Sequence, residues 1–486
     1  MEPISGLPGF ELAIDLPPRG SRDLLHALHQ QLRSAIVEGR LQPGLRLPPT
    51  RTLAAAVGVS RNTAVATYDL LLSEGYLVAR HGAGTYVAQS LPQAPERKAS
   101  TSANGGDRRL SPPWREPTAT PSATPRKPPR YNFRLGLPDH AQFPFDVWRR
   151  LATRALRSIA KAPAEYASPQ GQPSLRDAIA RHVSFARAVA CRADDLVVTT
   201  GAQQAFDLLG RILVTPRRTV VAMENPGYPP ARTAFETAGA RIVPVPVDEE
   251  GLRVDRLPED ARVIYVTPSH QSPLGCAMSM RRRAALLEFA QARGAVIIED
   301  DYDGEFRFDG RPLDALQTLD RAGSVFYVGT FSKSLFPAIR LGYVVAPPWA
   351  LAALIDAKQG ADGRCDTLTQ ETLAAFIAEG HLARHVRKMR QVYGRRRQVL
   401  LDGLQEFGGW LQPVPSAAGL HLAAMFNPAT PADAIAEQAR QLDVGVQSLR
   451  MFYTGKPRPG LVFGYGTIGE SAIAEGLARL RRLRPT

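Results

Sequence analysis

The stretch Gly329-Thr-Phe-Ser-Lys-Ser-Leu-Phe-Pro-Ala-Ile-Arg340 is the most informative segment of the sequence for both fold and chemistry. Lys333 stands between two serines, and an arginine follows it seven positions later. The lysine amine can close a Schiff base with an aldehyde, while hydroxyls, backbone N–H groups and Arg340 can hold a phosphate. The stretch therefore indicates a site for a phosphorylated aldehyde, and pyridoxal 5'-phosphate (PLP) fits that description.

Short apolar runs surround this stretch and alternate with helical segments from Tyr131 onward. Such doubly apolar runs are typical of buried parallel strands, and their alternation with helices is typical of an α/β domain. We therefore expect a mainly parallel sheet, followed from about residue 361 by a smaller α+β lobe. The predicted strands are 196–200, 220–223, 263–267, 295–299 and 324–328.

Composition limits the class of protein. An apolar fraction of 44% and a charged fraction of 22% are ordinary for a soluble globular protein. Neither a long apolar run nor a secretory leader is recognisable, and the three scattered cysteines form no disulfide or metal pattern. We expect a cytoplasmic protein. The net charge of +14 suggests a polyanionic partner, but the basic residues are too widely spread to locate its site.

Three regions differ in composition. Residues 21–88 are compact and patterned, and we predict a DNA-binding domain there. Residues 89–130 are rich in Pro, Ser, Thr, Ala and charge, which predicts a flexible linker because such a stretch cannot bury a core. Residues 131–486 form the predicted α/β domain.

The N-terminal region has the pattern of a winged helix-turn-helix. An amphipathic helix is predicted over 24–38, and a second follows Leu47-Pro-Pro-Thr50. After a turn at Gly58-Val59, Ser60 is placed to cap a third helix over 61–72. Residues 75–80 and 85–88 then flank a glycine-rich tip, which predicts a β-hairpin or wing.

This block resembles the winged-helix head of the GntR regulator family over nearly its full length. The matching segments are Leu47-Pro-Pro-Thr-Arg51, Leu53-Ala54, Gly58-Val-Ser-Arg-Asn-Thr63, Glu74-Gly-Tyr76 and Gly82-Ala-Gly-Thr-Tyr86. The resemblance implies binding to double-stranded DNA.

The same resemblance assigns contacts within the head. It implies that Arg51 and Arg61 meet phosphates or base edges and that Asn62 and Thr63 face the major groove. It also implies that His81-Gly82 reaches the minor groove. The alternative is that these are merely solvated polar residues on a small helical domain.

Segments outside the Lys333 stretch also suit a PLP ring. Glu299-Asp-Asp-Tyr302 follows a predicted strand, where a carboxylate can pair with the pyridine nitrogen and a tyrosine can bond the phenolic oxygen. Tyr228 offers a face for stacking. Thr200-Gly-Ala-Gln-Gln204 precedes a helix whose free N–H groups suit a phosphate. His270 and Gln271 are further candidates for ring contact. Each of these segments, taken alone, is also consistent with a purely structural role, as a packing residue in a loop or an exposed acid.

Residues 131–486 resemble the fold-type I aminotransferase domain, with Tyr166-Ala-Ser-Pro-Gln-Gly171 as a further match. The order of head, linker and aminotransferase-like domain resembles the MocR subfamily of GntR regulators. The resemblance implies Lys333 as the Schiff-base lysine, Asp300 on the ring nitrogen and Tyr302 on the phenolic oxygen. It implies a head-to-tail homodimer in which Tyr166 reaches the partner's cofactor. The remaining implied cofactor-binding residues are Tyr228 for stacking and Thr330, Gly201, Ala202, Gln203 and Arg340 for the phosphate.

The sequence departs from the aminotransferase pattern at the arginine that holds the substrate carboxylate. Val462 occupies that place, and a valine cannot form the bidentate contact. Arg458 upstream and Arg232, which follows Tyr228, are the substitutes that the sequence offers. The departure weakens the expectation of transamination but not that of PLP binding.

The sequence thus predicts a PLP-binding transcriptional regulator rather than an enzyme, associated with the nucleoid through DNA. By resemblance to PdxR-type regulators, PLP itself is the expected effector, controlling vitamin B6 genes. Three alternatives stay open. One is a regulator that responds to an amino acid or amine through the Schiff base, with a residual transaminase half-reaction. Another is a working aminotransferase with a DNA-binding extension. The third is a DNA-binding protein whose large domain has kept the fold but only dimerises. No metal site is expected.

Overall fold

The computed structural model describes residues 14–18, 21, 23–90, 109, 128–163, 165–310 and 313–484. The chain divides into two compact units, Met1–Thr120 and Pro121–Thr486. Most of the predicted linker, 89–130, lies outside the described residues, so its character and the domain boundaries stay predictions. Among the helices of the described ranges, none combines the length and apolar character that a membrane span requires.

The first unit contains three helices and a two-stranded hairpin. They are α1 (Leu24–Val37), α2 (Thr50–Val57), α3 (Arg61–Ser73), β1 (Leu77–Arg80) and β2 (Gly84–Val87). The apolar faces of all five elements meet in one core, which includes Leu28, Leu32, Leu53 and Leu71. The Ser60 side chain caps α3 by accepting a hydrogen bond from the Thr63 N–H (3.0 Å). The predicted winged helix-turn-helix is confirmed.

The second unit combines eleven helices with fourteen strands in the part of the chain that the structure describes. The helices are α4 (Phe145–Ile159), α5 (Pro173–Arg187), α6 (Ala202–Leu213), α7 (Pro229–Thr237), α8 (Met280–Arg293), α9 (Leu316–Leu319), α10 (Pro348–Ala361), α11 (Thr367–Ala378), α12 (His381–Gln405), α13 (Ala432–Gln441) and α14 (Glu470–Arg481). The strands are β3 (Tyr131–Asn132), β4 (Leu196–Thr199), β5 (Val220–Asn225), β6 (Arg241–Asp248), β7 (Gly251–Leu252), β8 (Ala261–Val266), β9 (Val296–Asp301), β10 (Val325–Thr330), β11 (Gly342–Val345), β12 (Leu411–Pro413), β13 (His421–Phe426), β14 (Val444–Gly445), β15 (Gln447–Ser448) and β16 (Gly460–Gly464).

The large sheet has eight strands in the order β4-β11-β10-β9-β8-β5-β6-β7. Neighbouring pairs from β10 through β6 are parallel, whereas β11 and β7 pair with their neighbours antiparallel. All five predicted strands are present, and the mainly parallel sheet is confirmed. Because parallel strands end on the same edge, the loops after β5, β8, β9 and β10 come together there.

A smaller sheet in the order β12-β13-β16-β15 forms the second lobe of this unit. Its central pair, β13 and β16, is antiparallel with His421 opposite Gly464. The stretch after β3 runs along β16, since the Gly464 N–H donates to the Phe133 carbonyl (3.0 Å). The α+β lobe predicted from the sequence is confirmed, and it brings an N-terminal segment of the unit beside β16.

Candidate PLP site and DNA-binding head

A cavity of about 330 Å³ lies at the edge where the parallel strands end. Lys333, Asp300 and Tyr302 line it, together with segments from both lobes. Of the residues that the aminotransferase resemblance assigns to the cofactor, only Gly201 and Tyr166 do not line this cavity. The other lining residues are Arg134, Leu135, Gly136, Leu137, Ala202, Gln203, Tyr228, Ser272, Asp303, Thr330, Ser332, Pro337, Arg340, Leu420 and His421.

Lys333 follows β10 and lies deep in this cavity. Its Nζ donates a hydrogen bond to the Gly136 carbonyl (2.6 Å). Burial lowers the pKa of the Lys333 amine below its usual range, although Asp303 and Asp300 oppose the change. A lowered pKa increases the neutral, nucleophilic fraction of an amine, as Schiff-base chemistry requires.

Asp300 is almost fully buried near the end of β9. Its Oδ2 accepts a hydrogen bond from the Tyr265 hydroxyl (2.6 Å), while Oδ1 has no partner among the described residues. Burial raises the pKa of the Asp300 carboxyl to about 7, and the Tyr265 hydrogen bond opposes the change. A buried carboxyl oxygen without a partner is unusual, and a protonated ring nitrogen would satisfy it.

Tyr302 is held by a histidine–carboxylate cluster that joins the two lobes. His270 Nδ1 lies 2.9 Å from the Tyr302 hydroxyl and 3.1 Å from both carboxyl oxygens of Asp303. His421, on β13, donates from Nε2 to the Pro273 carbonyl (3.1 Å), and burial lowers its pKa to about 3. His421 is therefore neutral at physiological pH.

Two predicted ring contacts are not brought into the cavity. Neither His270 nor Gln271 lines it, and the Gln271 amide instead donates to the Pro226 carbonyl (2.8 Å) and to Glu224 (3.3 Å). Ser272 and His421 line the cavity in their place. Sequence reasoning missed both. Ser272 directly follows the two candidates along the chain, but His421 comes from a distant strand of the small lobe and carries no local signal.

The groups predicted to hold a phosphate meet at one end of the cavity. Thr330, Ala202, Gln203 and Arg340 line it. Gly201 caps α6 with φ 92°, and a Cβ at that position would lie 3.4 Å from the Arg340 guanidinium. The free N–H groups of α6 and the guanidinium thus lie close together, which is the arrangement that an anion requires.

The two predicted aromatic contacts differ in position. Tyr228, just before α7, lines the cavity, and burial raises the pKa of its hydroxyl to about 12. Tyr166 is 90% exposed, lines a different cavity and lies under the Arg364 guanidinium, 4.5 Å from the ring centroid. Within one chain Tyr166 therefore does not reach the site.

The structure also places the arginines considered for a carboxylate. Val462 is fully buried in an apolar cluster with residues such as Leu274 and Ala423. Arg458 lines a separate cavity, and Arg232 donates to the Thr454 hydroxyl (2.7 Å). Neither substitute lines the Lys333 cavity. Arg134, which the sequence did not suggest, does.

The residues present fit PLP. The cavity combines a buried amine, a buried carboxyl with a free oxygen, and an anion-binding helix terminus beside a guanidinium. Each matches one chemical group of that molecule: the aldehyde, the ring nitrogen and the phosphate.

In the head, the predicted DNA-contacting residues are exposed on α2, α3 and the wing, with one exception. Arg51, Arg61 and Asn62 are solvent-exposed, as is the wing turn at His81-Gly82. Thr63 is half-buried, and its hydroxyl lies 2.8 Å from the Ser60 hydroxyl. Thr63 therefore also closes the cap of α3, which the sequence assignment did not include.

Two sequence profiles match the chain. The profile of aminotransferase class I and II matches residues 132–460, and that of bacterial regulatory proteins of the gntR family matches residues 25–87. These ranges correspond to the two units of the structure.

Several known proteins are similar over nearly the whole chain. The probable rhizopine catabolism regulatory protein MocR of Rhizobium meliloti is 38% identical over 93% of this chain and 92% of its own. The pyridoxine biosynthesis transcriptional regulator PdxR of Corynebacterium glutamicum is 32% identical over 97% of this chain and 98% of its own.

Among solved structures, the α-aminoadipate aminotransferase LysN from Thermus thermophilus, complexed with N-(5'-phosphopyridoxyl)-L-leucine, is similar at 31% identity. The two structures superpose with a TM-score of 0.67, and the superposition covers 72% of this chain and 91% of that one. The Pyrococcus horikoshii kynurenine aminotransferase is 27% identical and superposes with a TM-score of 0.68. The superposition covers 73% of this chain and 92% of that one.

Proposed function

The chain belongs to the aminotransferase class I and II family and, through its gntR-type head, to the MocR-type transcriptional regulators; from that premise, we propose that occupancy of the Lys333 cavity by PLP controls how the head binds DNA. The observation that carries the proposal is Asp300 Oδ1, a buried oxygen without a partner among the described residues, in the same cavity as Lys333.

When bound, PLP supplies an aldehyde carbon and an electron-withdrawing pyridine ring. Lys333 would present its amine to the aldehyde, and Asp300 would hold a proton at the ring nitrogen. Tyr302 would bond the phenolic oxygen, and Tyr228 would stack on the ring. The phosphate would be held by Thr330, Gln203, Ala202, Gly201 and Arg340.

We assign a regulatory rather than an enzymatic role to this site. Val462 removes the arginine expected for a substrate carboxylate, and it is fully buried among apolar side chains. Turnover needs a substrate that is held in a fixed orientation against the cofactor. Sensing needs only that the ligand's affinity differs between two states of the protein. PLP as effector, with genes of vitamin B6 metabolism as targets, is supported by the similarity to PdxR.

A homodimer is part of this proposal. Phe185 is 95% exposed and Leu156 55%, and they lie on the consecutive helices α5 and α4 of the same unit as the 90% exposed Tyr166. Large exposed apolar side chains of this kind suit an interface between subunits. A dimer also gives each DNA half-site its own head, which raises the local concentration of the second head.

The test is a DNA-shift titration with intergenic DNA upstream of the chain's own gene, with and without PLP. It compares wild type, Lys333→Ala and, as a matched control, Lys388→Ala, an exposed lysine on α12. We expect PLP to change the DNA affinity of wild type and of Lys388→Ala but not of Lys333→Ala. The visible absorbance of bound PLP should likewise be present in wild type and in Lys388→Ala and absent in Lys333→Ala.

Three other outcomes would contradict the proposal. PLP that leaves wild-type DNA binding unchanged would exclude PLP as effector. Absence of any PLP absorbance in wild type would reduce the large unit to a dimerisation domain. Sustained turnover of an amino donor with a keto acid would make the chain an aminotransferase with a DNA-binding extension.

A further inference from the structure

We infer that α4 and the first half of α12 form a basic surface on the large unit, and that this surface binds the phosphate backbone of double-stranded DNA. The sequence assigned DNA contacts only to the head. The inference goes beyond the proposed function, because it adds a second DNA contact and needs no response to PLP. The basic surface consists of Arg150, Arg154, Arg157, Arg384, Arg387 and Lys388.

The positive charge of the chain is concentrated on these two helices. α4 carries four arginines and one acid, and α12 carries seven lysines and arginines and one acid. The two helices therefore account for nine of the fourteen surplus positive charges. They lie far apart along the chain, which is why the charge looked dispersed in the sequence.

On α4 the basic residues form one stripe. Arg150, Arg154 and Arg157 recur at i, i+4 and i+7, so they share one face of the helix, and all three are exposed. Leu151, by contrast, is buried in the core. Leu156, offered above to a second subunit, is two positions from Arg154 and therefore lies on a different side of the helix. The stripe is thus separate from that apolar contact.

The first turns of α12 are equally basic. Arg384, Arg387 and Lys388 occupy positions i, i+3 and i+4, so they are neighbours on the helix surface, and all three are exposed. The buried residues of these turns, such as Leu382 and Met389, lie on a different side. The first half of α12 therefore presents a positive face to solvent.

Contacts through α11 bring the two positive faces together. Helix α11 packs against both α4 and α12, and Phe143, just before α4, packs edge-on against His385 of α12 (ring centroids 5.4 Å). Glu379 follows α11 and joins the two faces. Arg154 pairs with the Glu379 carboxylate, and Arg384 donates to the Glu379 carbonyl (2.9 Å). The two rows of basic side chains therefore meet at Glu379.

Most of this charge is not neutralised within the chain. Arg150, Arg157, Arg387 and Lys388 have no hydrogen bond or ion pair with any residue that the structure describes. Glu379, the acid at the junction, already pairs with Arg154. Neighbouring like charges repel each other, and a bound polyanion would relieve that repulsion.

Double-stranded DNA is the polyanion that fits this surface. The chain carries a gntR-type head, so duplex DNA lies beside the protein whenever the head is bound. Arginine outnumbers lysine on both helices, and its planar guanidinium matches phosphate geometry. Exposed basic side chains contact phosphates without reading bases. We therefore expect this contact to be sensitive to salt and independent of DNA sequence.

The experiment measures the DNA affinity of the full-length protein by fluorescence anisotropy, from about 0.05 to 0.3 M KCl. The probes are the intergenic duplex upstream of the chain's own gene and an unrelated duplex of the same length. One variant, Arg150→Gln/Arg157→Gln, neutralises two charges on α4, and a second, Arg387→Gln/Lys388→Gln, neutralises two on α12. The matched control is Arg217→Gln/Arg218→Gln, which removes two exposed charges between α6 and β5.

We expect each variant of the basic surface to reduce the slope of log affinity against log salt concentration by about 2, since each phosphate contact contributes about 0.9. At about 0.1 M salt the affinity should fall about 10-fold or more. The loss should be the same for both duplexes, because phosphate contacts carry no sequence information. The control should keep the wild-type slope.

Lys388→Ala, the control variant of the PLP titration, removes one charge of the basic surface. It should weaken DNA binding by one phosphate contact, and by the same factor with and without PLP. Its response to PLP should therefore remain that of wild type.

Other results would overturn the inference. Both variants of the basic surface might keep the slope of the control, which would show that the surface does not contact DNA. An unchanged slope with altered subunit association would assign the surface to contact between copies of this chain. A loss confined to the intergenic duplex would indicate base contacts, and a loss confined to RNA of the same length would assign the surface to RNA. Wild-type DNA binding that ignores PLP would overturn the proposed function but leave the salt slopes unchanged, which distinguishes the two failures.

Discussion

The Tyr265 hydroxyl donates a 2.6 Å hydrogen bond to Oδ2 of Asp300, and the other carboxyl oxygen of Asp300 has no partner among the described residues. Tyr265 lies on β8 and Asp300 on the adjacent β9, so two neighbouring strands fix the carboxyl. The arrangement orients Asp300 but leaves half of its hydrogen-bonding capacity for a ligand.

Asp300→Asn should change how the stability of the ligand-free protein depends on pH. Burial raises the folded-state pKa of Asp300 to about 7, whereas the unfolded value is about 4. Between these values the folded state keeps a proton that the unfolded state releases. The free energy of unfolding therefore falls as pH rises through this window and levels off above it. Asparagine cannot ionise, so the variant lacks this contribution.

Urea unfolding at pH 5 and pH 8 measures the effect. The stability of Asp300→Asn relative to wild type should increase by on the order of 3 kcal/mol between the two pH values. Other buried acids, such as Glu224, contribute equally to both proteins and cancel. Identical pH slopes for the two proteins would mean that Asp300 ionises normally.

Gly136→Ala should weaken PLP binding. A Cβ at Gly136 would lie 2.7 Å from the Lys333 Nζ and would displace the amine from its carbonyl partner. Gly363→Ala is the matched control, since both glycines have φ +73° but a Cβ at Gly363 meets nothing within 4 Å.

Both variants should lose about 1–2 kcal/mol of stability to backbone strain, because alanine is disfavoured at a positive φ. Only Gly136→Ala should lose PLP affinity, by about 10-fold or more, because the added Cβ pushes the Lys333 amine away from the place where it meets the aldehyde. Titration of PLP by absorbance makes the comparison, and an equal PLP affinity in the two variants would count against the position of Lys333.

Arg187→Met should destabilise the large unit strongly. The Arg187 guanidinium donates to Asp301 Oδ2 (2.6 Å), to the Ser269 hydroxyl (2.6 Å) and to the Leu313 carbonyl (2.6 Å). Removing it leaves Asp301 as a buried charge beside Asp300, which costs about 3–5 kcal/mol. Chemical unfolding measures the loss.

Arg181→Met is the control on the same helix. Arg181 pairs with Asp177 at the surface, with 79% and 52% of the two side chains exposed. Its removal should cost less than about 0.5 kcal/mol. Similar losses in the two variants would contradict a structural role for the buried pair.

Ser60→Ala should destabilise α3 of the head by about 1 kcal/mol, because the Thr63 N–H loses its cap. Hydrogen exchange of the peptide covering 61–73 in the full-length chain reports this change. Ser34→Ala, at an exposed position within α1, should leave the exchange of that peptide unchanged. Equal protection in Ser60→Ala and wild type would show that the cap contributes nothing.

Sequence patterns alone were sufficient for several parts of this structure. The helix-turn-helix, its wing and the buried parallel strands depend on local spacing of apolar residues, caps and glycines, which is written along the chain. The groups around Lys333 and Asp300 were also predictable. Each follows a strand directly or ends one, and parallel strands bring their ends to one edge of the sheet.

The sequence by itself determined that this chain has a DNA-binding head and a PLP-type site at the end of a parallel sheet, because both are encoded by contiguous segments. Only the tertiary structure decided which distant side chains complete the site. It brought in Arg134 and His421 from the small-lobe side and kept out Arg458 and, within one chain, Tyr166. Contacts between segments hundreds of residues apart depend on packing of whole elements, and no local spacing encodes them.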